Sequence, residues 1–128
     1  MKLLLDTHTL LWWLDGDQKL TRRVRSLIED TSNDIFVSAV TGWEIATKAR
    51  LGKLPKALPI ARRIPEVVAE QGFLVLPVSL EHGQRAGWLP GPHRDPFDRM
   101  LAAQAQAQGL PIATIDPHFE RFGVEVVW

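Results

Sequence analysis

Four carboxylates, Asp6, Glu44, Asp98 and Asp116, stand in stretches where an acid is unexpected or well placed to act. Asp6 ends the run "LLLD" and precedes a Leu-Trp-Trp-Leu block, surroundings in which an ionised carboxylate is costly to bury without compensation. Glu44 falls in "GWEIATK", Asp98 in "PFDRML", and Asp116 closes "ATID". Acids crowded together raise one another's pKa and destabilise a fold, and a divalent cation removes that penalty. Oxygen-only ligands with water completing the shell suit magnesium or manganese, held by a few carboxylates plus substrate phosphate. Such an ion polarises a phosphodiester and lowers the pKa of a bound water, which is the chemistry of phosphodiester hydrolysis.

Each acid also has a local reading. Asp6 could cap the helix that follows it, and Asp116, before Pro117, could start a turn. Glu44 could form an i,i+4 pair with Lys48. Asp98 could be a first-turn acid favoured by the helix dipole, with Asp95 as the cap. Helical spacing separates the last two. Leu101, Ala102 and Ala105 fall three, four and seven residues after Asp98, on one apolar, small-residue face, and Asp95 is left as the cap.

The elements that position these acids follow from periodicity and breakers. "KLLLD" has no polar alternation and reads as the central strand of a parallel sheet. "THTLLWWLDGD" reads as a helix stopped at Gly16, and "TRRVRSLIEDTSN" as an amphipathic helix capped by Thr21. "DIFVS" is a second strand, "AVTGWEIATKARLG" a helix stopped at Gly52, and "LPKALP" a connection. "IPEVVAEQG" is helical, "FLVLPV" a third strand, and "SLEHGQRAGWLPG" a helix opening at Ser79. After the loop "PGPHRDP", "PFDRMLAAQAQAQG" is an Ala-rich helix with Pro96 at its first position. "LPIATID" is a fourth strand, "PHFERFG" a helical turn and "VEVVW" a final strand. Strands and helices alternate without repeats or long linkers. The expected fold is α/β, a single three-layer α/β/α domain over 1–128 around a mostly parallel sheet. In such sheets ligands bind outside the carboxyl ends of the strands, where all four acids would be steered.

The chain has 128 residues, 45% hydrophobic and 23% charged, with no cysteine. These values exclude a largely disordered chain, disulfides and thiolate metal sites. No apolar run is long enough to span a membrane, and Asp6 interrupts the would-be core of a secretory signal, so a cytoplasmic protein is expected. Fifteen basic and fifteen acidic residues cancel. Between Glu44 and Glu66, however, Lys48, Arg50, Lys53, Lys56, Arg62 and Arg63 lie without an intervening acid. That segment could follow phosphates or be a solvated face.

The blocks "LLLDTHTLLWWL", "VSAVTGWEIATKARLGKL", "HRDPFDRMLAAQAQAQGLPIATID" and "DPHFERFGVEVVW", in this order, resemble the PIN-domain ribonucleases, specifically the VapC-like toxins of type II toxin–antitoxin systems. The resemblance spans nearly the whole chain. It implies a PIN-like fold and a metal-dependent endoribonuclease whose magnesium (or manganese) site is carried by Asp6, Glu44, Asp98 and Asp116. It also implies in-line attack of metal-activated water on RNA, a homodimer and a cognate antitoxin. Thr7, Ser38 and Thr114 match polar positions that line the site. Lys48, Arg50, Lys53 and Arg99 are candidate RNA contacts, although Arg99 could equally pair with Asp95.

His8, His82, His93 and His118 are scattered, and solvated or hydrogen-bonded roles are expected for them rather than metal ligation. Of the alternatives, a haloacid-dehalogenase-type phosphatase or phosphotransferase wants a second Asp where His8 stands. A response-regulator receiver wants an Asp at the third strand and a Lys after the last, and finds neither. A PIN fold acting only as an interaction module would not need all four acids. Most of the five tryptophans are expected in the core, with one of the adjacent Trp12 and Trp13 turned toward a dimer or antitoxin interface.

Overall fold

The computed structural model describes residues 1–92 and 95–128; the expectation for His93 lies outside them. Among the described residues the strands are β1 (Lys2–Leu5), β2 (Asp34–Ser38), β3 (Leu74–Leu76), β4 (Ile112–Ala113) and β5 (Val126–Val127). They form one sheet in the order β3-β2-β1-β4-β5, and every pairing is parallel. The helices are α1 (Thr7–Asp15), α2 (Arg22–Glu29), α3 (Ala39–Arg50), α4 (Ile64–Glu70), α5 (Leu80–Trp88) and α6 (Pro96–Gln108). Short 3-10 turns cover Pro55–Ala57, inside the segment read as a plain connection, and Pro117–Phe122.

The pleat of β1 explains the three layers. Leu3, Leu4 and Leu5 are all fully buried, as a central strand requires. Successive side chains point to opposite faces. Leu3 and Leu5 therefore join Leu10, Val24 and Ile28 on one side, and Leu4 joins Leu101, Ala102 and Phe119 on the other. Neighbouring β2 repeats the alternation, with Ile35 and Val37 in the first cluster and Phe36 against the second. Alanines at 102, 103 and 105 bring α6 close to the sheet.

The helix ends are set locally. Thr21 Oγ1 accepts from Val24 N at 3.2 Å to open α2, and the Ser79 hydroxyl accepts from His82 N at 3.1 Å to open α5. Gly109, at φ 63°, closes α6 in the left-handed conformation that other residues rarely adopt. Strand β4 is shorter than "LPIATID" suggested. Thr114 N still donates to Val127 O at 3.2 Å, but the chain then turns away to present Thr114 and Asp116 at the rim.

The sheet grows outward from β1 in one direction through β2 and β3, then restarts on the other side with β4 and β5. Such a reversal leaves a crevice at the carboxyl ends of the strands flanking it, here β1 and β4. Asp6 follows β1 directly and Asp116 follows β4.

The tryptophans depart from expectation. Trp12 and Trp13 are both half-buried against the same cluster, Trp12 with its ring centroid 5.7 Å from that of Trp128 and Trp13 6.3 Å from Phe73. Large rings on either side of the line where α1 meets the sheet both reach the core, and each keeps part of its surface open. Most of the five were expected inside, yet Trp43 and Trp88 are 60% and 83% exposed.

Candidate metal centre

Asp6 is 6% exposed and held from both sides. Its Oδ1 accepts from Thr7 N at 2.7 Å, which also makes Asp6 the cap of α1. Its Oδ2 accepts from the Thr114 hydroxyl at 2.8 Å. Burial pushes the Asp6 carboxyl above its ordinary value; these two hydrogen bonds and His8 oppose the shift, while Glu44 adds to it. Asp6 and Glu44 are thus close enough to repel.

Glu44 is 3% exposed, and its Oε1 is the one buried side-chain polar atom among the described residues without a hydrogen-bond partner. Its Oε2 accepts from Lys48 Nζ at 2.5 Å, so the i,i+4 pair is formed, but with a buried rather than a solvated acid. Beside it Thr7 Oγ1 lies 3.1 Å from Thr41 Oγ1, both buried, tying the start of α1 to α3. The reading of the sequence passed over Thr41. Its spacing three residues before Glu44, on the same helical face, was the available signal.

Asp95 is the cap of α6, accepting from Phe97 N at 2.9 Å and Asp98 N at 3.3 Å. Asp98 is thereby left half-buried in the first turn of α6, where its charge acts on Lys48 together with those of Glu44 and Asp95. Packing of α3 on α6 is visible in the Trp43 and Phe97 rings, 4.8 Å apart and edge-on, each one residue before an acid. Asp116 caps the final 3-10 turn through His118 N at 2.9 Å and sits 2.6 Å from His118 Nδ1. Thr114 Oγ1 accepts from Asp116 N at 3.0 Å, so one hydroxyl connects Asp6 to Asp116.

Other sequence candidates are engaged elsewhere. Ser38 donates to Gln104 Oε1 at 2.5 Å and accepts from Val40 N at 3.0 Å, locking the start of α3 to α6. Buried Gln104, also missed in the sequence, completes that lock through Pro77 O at 3.2 Å. The Arg99 guanidinium donates to the carbonyls of Ala86 and Leu89 at the end of α5, not to Asp95. Arg50 and Lys53 are exposed. His82 is buried, with Nδ1 accepting from Ser79 N at 3.1 Å, and His8 is exposed.

Among the described residues no group of three or more acidic or histidine side chains lies close enough to hold a metal ion unaided. The residues nevertheless fit a hard cation of the magnesium type, which takes one or two carboxylates and keeps several waters. Asp6 and Glu44 supply buried carboxylates close enough to feel each other's charge, and Glu44 Oε1 has no hydrogen-bond partner among the described residues. Asp98 and Asp116 are less buried than these two.

A model of the PIN domain matches residues 3–125. Ribonuclease VapC16 of Mycobacterium tuberculosis is 39% identical over 99 residues, 77% of this chain and 57% of that protein. The match thus spans little more than half of that relative. Ribonuclease VapC22 of the same organism is 26% identical over 115 residues, 88% of this chain and 85% of that protein. VapBC2 from Rickettsia felis, solved bound to a DNA fragment from their promoter, superposes with a TM-score of 0.71 at 16% identity, over 99% of this chain and 98% of that one. FitAcB from Neisseria gonorrhoeae gives 0.66 at 22% identity, over 98% and 96%. At these identities the structural likeness establishes the fold.

Proposed function

The chain belongs to the PIN domain family, and on that premise we propose that it is one PIN domain acting as a magnesium-dependent endoribonuclease, the toxin of a type II toxin–antitoxin pair. The observation that carries this reading is the unpartnered, buried Glu44 Oε1, on a carboxylate whose charge reaches buried Asp6 at the end of β1. Two buried acids that repel are a cost to the fold; Lys48 offsets it at Glu44 Oε2 only, and a divalent ion would offset the rest. The ribonuclease names of the curated relatives support the activity.

Asp6 and Glu44 would hold magnesium or manganese directly, with Asp98 and Asp116 acting through water. When bound, the ion would withdraw electron density from the RNA phosphodiester, acidify the attacking water and stabilise the leaving oxygen. Asp6 is kept in place by Thr114 and the Thr7 amide, so its oxygens need no reorganisation during reaction. Glu44 is fixed by α3, whose start is locked to α6 by Ser38 and Gln104. Arg50 and Lys53, exposed at the end of α3 and just beyond it, would bind the RNA backbone. Lys48 and Arg99 are already engaged within the protein and would contribute less to that contact.

One structure of similar fold is a toxin–antitoxin complex from Klebsiella pneumoniae. A cognate antitoxin and a homodimer are proposed for this chain, with exposed Trp43 and Trp88 offering apolar surface to one of them. No helix among the described residues is long and apolar enough to cross a membrane, and a cytoplasmic site of action is proposed. Cleavage of a structured RNA with magnesium or with chelator, by the wild type and by Asp6→Asn, tests the reading. Chelator-resistant cleavage would contradict it.

A further inference from the structure

Acids gathered at a rim need a counter-charge even before any metal arrives, and α3 carries one. Lys48 lies one turn beyond Glu44, and its Nζ donates to Glu44 Oε2 at 2.5 Å. Pairs at this spacing are usually solvent-screened and of small consequence. Here the carboxylate is buried and water cannot take over its charge. Its second oxygen has no partner among the described residues. The ammonium is itself only 27% exposed and sits 5.8 Å from the centroid of the Phe97 ring, next to Asp98 on α6. Burial lowers the proton affinity of Lys48, but Glu44, Asp95 and Asp98 outweigh it and raise it. The ammonium thus lies between α3 and the first turn of α6, bonded to Glu44 and set against the ring that precedes Asp98.

We propose that Lys48 is the resident counter-cation of the acid rim, bonded to Glu44 in the metal-free protein and competing with the divalent ion for that carboxylate. The inference rests on the metal-dependent reading given above. An ion drawn to Glu44 meets a like charge within hydrogen-bond reach of the same side chain. In a half-buried setting, with an effective dielectric constant of about 20, repulsion at such distances is large enough to change an affinity tenfold or more. The flexible four-carbon stem of lysine lets the ammonium withdraw toward solvent as the ion enters. Lys48 thus stabilises the empty rim and weakens ion binding, a positioning role separate from any contact with RNA.

The test is calorimetric titration with manganese and magnesium chloride, paired with melting in chelator, on the wild type, Lys48→Gln and Lys48→Arg. Glutamine keeps an N–H donor for Glu44 without the charge, so the variant is expected to fold. Lys48→Gln should bind manganese about tenfold tighter or more, melt below the wild type in chelator, and gain more in melting temperature on adding the ion. Lys48→Arg should behave as the wild type. Equal or weaker ion affinity in Lys48→Gln overturns the proposal and leaves the metal-dependent reading standing. Absence of divalent binding in all three proteins overturns both.

Discussion

The Thr114 hydroxyl donates to Asp6 Oδ2 across 2.8 Å, a buried contact between residues that follow neighbouring strands β4 and β1. The same oxygen accepts the Asp116 amide, so Thr114 holds two acids of the rim at once. Thr114→Val keeps the shape and removes both functions. Ion affinity or cleavage should fall by about 10–100-fold, the usual cost of losing a residue that orients a ligand. Thr114→Ser should retain most of both. Calorimetry and a cleavage assay on the two variants check this.

Asp6 gives the metal-free protein a pH dependence of defined sign. Burial raises its carboxyl above the ordinary 3.8, so the folded state holds the proton more tightly than the unfolded chain. Its contribution to stability is then greatest below 3.8 and declines as pH rises through the raised value, remaining low at neutrality. Asn at this position can accept from Thr7 N and donate to Thr114 Oγ1 without a charge. In chelator at pH near 7, Asp6→Asn should melt higher than the wild type, by roughly 3 °C for a gain of about 1 kcal/mol. The difference should shrink toward acid pH. Parallel melting curves at every pH would contradict the sign.

Asp95 and Asp98 should separate cleanly. Asp95 caps α6 through two backbone amides, so Asp95→Ala should cost about 1 kcal/mol of stability and keep cleavage. Asp98→Asn should keep the cap and lose cleavage by about a hundredfold or more, the scale of removing one preorganised electrostatic contact. Chemical denaturation and cleavage rates on the two variants read both effects.

Arg50 and Lys53 should account for part of the salt dependence of RNA binding. Replacing both with alanine should lower the slope of log affinity against log salt by about 1.5, at roughly 0.7–0.9 per phosphate contact. Arg99→Ala should instead destabilise the fold, because its guanidinium serves carbonyls at the end of α5. Binding measured across a salt series, with melting temperatures, distinguishes the two groups.

What the sequence made legible follows from local rules. Leu3–Leu5 lacks polar alternation and does become the central strand, and Thr21, Ser79 and Asp95 cap the helices their side chains suit. Asp95 was readable as the cap of α6 because it stands just before Pro96 at the first helical position. Long-range choices were not readable. Ser38 bonds to Gln104, 66 positions away, and that partner depends on how α6 crosses the sheet. Trp43 reads as core by composition, yet only the packing of α3 on α6 decides that its ring meets Phe97 edge-on and stays open to solvent. The Lys48 side chain fits both an RNA contact and a Glu44 partner by sequence, and the Glu44 pair is the one the fold forms.

Magnesium-dependent cleavage of a structured RNA by the wild type, Asp6→Asn and Asp98→Asn is the most direct measurement. Cleavage by the wild type alone, abolished by chelator and restored by magnesium or manganese, is the expected result. Equal cleavage by all three proteins, or cleavage indifferent to chelator, would remove the acid rim from the chemistry.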